Sequence, residues 1–146
     1  MPLPTVFAEL LCALAREHAR VLVVGGLAKR LHGEQADAHD HCLWYDADED
    51  NAAHVYRALS RIGAPLDGVA IADLAEVDYE YRYGEGDDEI CLLGGLDGTT
   101  FADAWVERLE THWHDVPLCV IGRTTLRATE LAARPSNIFT KASVPR

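Results

Sequence analysis

The residues best placed to do chemistry are a glycine pair, a short Asp-His-Cys block and a distant cysteine. Gly25-Gly26 directly follows the apolar run Val21-Leu22-Val23-Val24, with Lys29 and Arg30 just beyond. Glycines let backbone approach a polyphosphate, and a helix opening there offers free N–H groups and the positive end of its dipole. Gly25, Gly26, Lys29 and Arg30 are therefore candidate nucleotide-binding residues. A plain tight turn and a solvated helix face account for the same four. Asp40, His41 and Cys42 follow on the next strand candidate, where a carboxylate could hold a divalent cation against phosphates. Cys91 sits in a second apolar stretch, ahead of Gly94-Gly95.

The elements that must position these residues alternate between two periodicities. Thr5 is a candidate cap for a helix to His18, whose stripe is Phe7, Leu10, Leu11 and Leu14. Val21–Val24 is short, continuous and β-branched, as a buried strand is. Leu27–His32 reads as a short helix closed by Gly33, and Glu34–His39 as a loop. A strand from about Asp40 to Tyr45 leads to Asp48-Glu49-Asp50-Asn51, which supplies caps and negative charge for a helix to Ile62, stopped by Gly63. Ile71–Glu76 suits one helical turn, Glu80–Tyr83 an edge strand, and Glu89–Leu93 a strand. Thr99 or Thr100 caps a helix whose apolar face is Phe101, Ala104, Trp105 and Leu109. His112–Asp115 reads as a loop, Leu118–Ile121 as a last strand and Thr124–Ala133 as a last helix before Pro135. The expectation is one mixed α/β domain over residues 1–146, with 138–146 as a polar tail.

The block from Val21 to Gly33 resembles the opening of the minimal nucleotidyltransferase family, which includes the abortive-infection nucleotidyltransferase toxins. In that family a Gly-Gly or Gly-Ser pair precedes a strand bearing Asp-x-Asp, and a third Asp lies on a later strand. Asp40 falls 14 residues after Gly26, as the family's loop would place it. Ile90–Gly98 is similar to the family's third-Asp strand and its turn, and the likeness spans roughly residues 20–137 with Arg134-Pro135 near its end. The resemblance implies a nucleotidyltransferase-like fold, a small mixed sheet with helices mainly on one face. It also implies that Asp40, Cys42 and Cys91 occupy the three catalytic positions, Asp40 as metal ligand.

Two of those positions are cysteine, and where many relatives carry a lysine this chain has Thr129. In-line nucleotidyl transfer depends on hard oxygen ligands for magnesium, and thiolates are soft. The resemblance therefore implies a catalytically degenerate relative that binds a nucleotide or a protein partner. The alternative is an active enzyme moving a nucleoside monophosphate from a triphosphate to a small-molecule or protein hydroxyl, with Mg2+ as cofactor. Asp40, Cys42 and Cys91 could otherwise gather a soft metal such as Zn2+, act as a redox pair, or pack inertly. His39 and His41 alternate to the opposite strand face.

Composition bounds the partners. The chain of 146 residues carries a formal charge of −11, so it lacks the Lys/Arg excess needed to displace counterions from nucleic acid. A cationic small molecule or basic protein patch suits the field better. No run has the length to span a bilayer, and the stretch Thr5–Leu14 is broken by Glu9 without a basic leader. Four scattered cysteines without a CxxC pair give no disulfide or zinc-finger framework, and the expected compartment is the cytoplasm.

Overall fold

The computed structural model describes residues 3–36, 41–86 and 89–133. Within them the chain runs α1 (Thr5–Arg16), β1 (Val21–Val24), α2 (Gly25–Leu31), β2 (His41–Tyr45), α3 (Glu49–Arg61), α4 (Ile71–Leu74), β3 (Glu80–Tyr83), β4 (Ile90–Leu93), α5 (Phe101–Val106), β5 (Leu109–Trp113), β6 (Val116–Val120) and α6 (Arg123–Ala133). The six strands form one mixed sheet in the order β3-β4-β2-β1-β6-β5. β2 runs parallel to β4 and β1 parallel to β6; the other three pairings are antiparallel. The fold is mixed α/β, as the alternating periodicities predict.

Strand pairing fixes which side chains share a face. One row crosses Val120, Val23, Leu43, Leu92 and Tyr81, all buried and apolar. β2's His41 lies on this same side and packs its ring against Phe7 of α1, with centroids 5.0 Å apart. This helix-facing position is the one its alternation with Cys42 requires. α1 buries Phe7, Leu10, Leu11 and Leu14, and α3 packs against both α1 and α4. On the opposite face Trp44 meets Phe101 of α5 edge-on at 5.3 Å. Helices thus touch both faces of the sheet.

The caps follow the sequence at two helices. Asp48 accepts a hydrogen bond from the Asn51 N–H, and Thr100 accepts one from the Asp103 N–H. At α1 the expected cap is displaced: Pro4, extended at ψ 146°, precedes the helix and Thr5 is its first residue. α2 begins at Gly25, two residues before the expected start. Gly25 has φ +73°, so glycine is needed there for its conformation.

The main departure is the β5–β6 hairpin. His112 and Trp113 lie on β5, and the turn is confined to His114-Asp115, with His114 at φ +54°. Leu109, expected on the apolar face of α5, opens this strand instead, because α5 ends at Val106. Leu-Glu-Thr-His-Trp is half-exposed along its length, so no buried run marks it as a strand. Among the described residues, no helix is long and apolar enough to cross a membrane.

Candidate functional site

On the Trp44 side of the sheet, pairing aligns Val24, Cys42, Cys91 and Arg82 side by side across β1, β2, β4 and β3. Gly25 follows Val24 directly, so the glycine pair, Cys42 and Cys91 sit at one place in the fold. Topology therefore brings together four of the residues singled out from sequence. Asp40 and His39 lie outside the described residues, as do Arg134 and Pro135.

The two cations do less than expected. Lys29 is half-buried and its Nζ lies 2.6 Å from Glu130 of α6, so its charge is already matched within the protein. Arg30 is exposed on α2. The far end of α2 is tied down by His32, whose Nε2 lies 2.7 Å from the Ile121 carbonyl, and by Arg123, which donates to the His32 carbonyl at 2.7 Å.

The thiols form a pair, Cys91 buried and Cys42 half-buried. Cys91 is 3% exposed, and its thiol is pushed well above the usual range. The hydrogen bond with Cys42 is the main cause, followed by burial and the neighbouring Cys42 charge; Arg82 opposes them. The upward shift favours the protonated thiol at Cys91 and so lowers its nucleophilicity. Its sulfur also lies 3.9 Å from Glu80 Oε2. Glu80 pairs with Arg82, which reaches Glu89 at 3.5 Å as well. Burial works against the Arg82 charge, yet Cys91 and the two glutamates outweigh it and raise its pKa. Sequence reading missed Glu80 and Arg82. The signal was the alternation Glu80-Tyr81-Arg82-Tyr83, which puts both charges on one face and Tyr81 in the core.

Such a donor set does not fit magnesium, which demands oxygen ligands in near-octahedral geometry. Among the described residues, no group of three or more His, Cys, Asp or Glu side chains is placed to hold a metal ion.

Farther along the same face, past the C-terminal ends of β2 and β4, lies a pocket of about 700 Å3. Trp44, Tyr79 and Phe101 give it aromatic surface, and Asp46, Asp78, Glu80 and Asp97 contribute carboxylates. Its walls depend on Gly94 and Gly95. A Cβ on Gly94 would lie 2.5 Å from the Glu76 carbonyl oxygen, and one on Gly95 would lie 2.4 Å from that of Val77. Both obstacles are backbone, so the strand end and the chain ahead of β3 would have to part. Gly95→Ala is expected to destabilise by about 2 kcal/mol, as overpacking does. Thermal unfolding checks this, and an unchanged midpoint would mean the wall yields freely.

Comparison with known protein families, curated proteins and solved structures finds no match to this chain.

Proposed function

We propose that the chain is a nucleotidyltransferase-like protein that has lost metal-dependent transfer and works by binding a nucleotide or a protein partner. One observation carries the reading: the pairing of Val24 with Cys42 and of Cys42 with Cys91. It supports a common site for the glycine pair and the positions at which the resemblance places carboxylates. The thiols argue for loss of chemistry. Transfer from a triphosphate needs a cation seated on the phosphates, and Cys42 and Cys91 are soft sulfur donors that supply no hard ligand for one. Asp40 alone would be one carboxylate of three.

Two measurements test the proposal. Incubation with labelled ATP, GTP, CTP and UTP plus magnesium should leave no label on protein or small-molecule acceptors. Incorporation by the wild type that Asp40→Ala abolishes would overturn degeneracy in favour of the active enzyme. Calorimetric titration with the same four nucleotides then identifies the ligand class. Saturable binding marks a nucleotide-binding protein; no binding by any of the four leaves the protein partner.

A further inference from the structure

We infer that Cys42 and Cys91 are a reversible redox pair, closed into a disulfide between β2 and β4 by exchange with a low-molecular-weight disulfide. The inference rests on strand register and burial, and stands whether or not the chain is nucleotidyltransferase-like. Cys42 and Cys91 are direct partners in the parallel β2–β4 ladder, so both side chains leave the same face of the sheet. Neighbouring strands run about 4.8 Å apart, inside the Cα separation of about 4.4–6.8 Å that a disulfide spans. The two thiols already share a hydrogen bond. Neither remaining cysteine competes. Cys12 is exposed on α1, which packs on the other face, and Cys119 on β6 is separated from β2 by β1.

Burial sets the order of attack. Cys42 is half-buried and Cys91 is 3% exposed, so Cys42 meets the small disulfide first. Its sulfur, having lost its proton to solvent, bonds to one sulfur of that molecule. The small disulfide's S–S bond breaks, and its electron pair leaves on the second sulfur, which takes up a proton as a free thiol. Cys91 then attacks the Cys42 sulfur, expels the second small thiol and closes the protein disulfide. Two protein thiols are thereby oxidised and one small disulfide is reduced to two thiols. The first step also prepares the second. The hydrogen bond with Cys42 is the largest cause holding the proton on Cys91, and the Cys42 charge adds to it. A Cys42 sulfur in a mixed disulfide is uncharged and a poor acceptor, so both causes weaken. Arg82 remains to favour the Cys91 thiolate, and Glu80 Oε2, 3.9 Å from the sulfur, is within reach of the departing proton.

The exchange is read on the intact chain incubated with excess bis(2-hydroxyethyl) disulfide, digested without reduction and mapped by mass. The expected product joins the peptides carrying Cys42 and Cys91, with the loss of two hydrogens, and dithiothreitol reopens it. Cys91→Ser should instead accumulate the mixed disulfide on Cys42. In Cys42→Ser, the Cys91 thiol should react at least about tenfold more slowly, being buried. An unchanged unfolding midpoint verifies that each variant is folded. No joined peptide in the intact chain, or a stable mixed disulfide on Cys42 beside a free Cys91, overturns the pair. Links to Cys12 or Cys119 at comparable yield would mean reaction of unfolded chains and overturn it equally. Equal rates in the two variants overturn the order of attack.

Discussion

Replacing Asn51 by alanine is expected to lower the stability of the fold by about 2 kcal/mol. Asn51 is fully buried in the first turn of α3. Its Oδ1 accepts from the Arg20 N–H at 2.7 Å, and its Nδ2 donates to the carbonyls of Arg20 at 3.1 Å and Asp46 at 2.8 Å. One amide thereby holds the start of α3 to the chain entering β1 and the chain leaving β2. The Arg20 and Asp46 carbonyls each keep a second donor, the Asp46 N–H at 3.1 Å and the Asp48 N–H at 3.0 Å, so of the three groups only the Arg20 N–H loses its sole partner. That one buried orphan and the two weakened carbonyls cost roughly 1–3 kcal/mol, while alanine's better helix propensity returns under about 1 kcal/mol. The visible ion pairs nearby matter less. Arg20 bridges Asp46 and Asp48 at 2.7 and 2.8 Å, but its side chain is 41% exposed, and such pairs contribute about 1 kcal/mol or less. Urea unfolding should therefore rank Asn51→Ala well below Arg20→Ala in midpoint at unchanged slope. The reverse order would mean that the guanidinium, and not the amide, ties these segments together.

Asn51 also shows where sequence reading stops. Its neighbourhood was legible as a cap, because Asp48 three residues ahead of a helical N–H is a local arrangement. Its role as a long-range tie was not, since nothing local distinguishes a buried Asn from a solvated one. The same division runs through the fold. Val21–Val24 and Asp48–Gly63 carry their own periodicity and stop signals, and both form as expected. The β5 strand carries neither, because its pairing with β6 supplies what its composition lacks. At the site, the place of Cys42 and Cys91 was legible from spacing and a resemblance, while their environment was not. Glu80 and Arg82 reach Cys91 only through β3–β4 register, which no local pattern encodes. The pocket was invisible for a related reason: Trp44, Asp78 and Asp97 come from three separate segments.

The thiol pair supports the second large effect. Cys91→Asp alone is expected to destabilise by about 3 kcal/mol at pH 8, because it places a carboxylate where Cys91 is 3% exposed and Glu80 already lies nearby. Arg82 offsets little of this, being shared between Glu80 and Glu89. Burial raises the folded-state pKa of the introduced carboxyl above its unfolded value of about 3.9. The folded state then holds the proton more tightly. The variant should approach wild-type stability near pH 4 and lose stability as pH rises, levelling off once the folded carboxyl has ionised. Magnesium separates a mere buried charge from a restored site. In Cys42→Asp combined with Cys91→Asp, hard ligands replace both thiols, and the nucleotidyltransferase-like reading puts Asp40 beside them. Magnesium at about ten times its dissociation constant should then raise the unfolding midpoint of the double variant by about 4 °C. The wild type should not respond, and the variant should bind magnesium-nucleotide more tightly. A double variant as indifferent to magnesium as the wild type would mean that Cys42 and Cys91 do not stand at carboxylate positions, and the reading built on their pairing would fall with it.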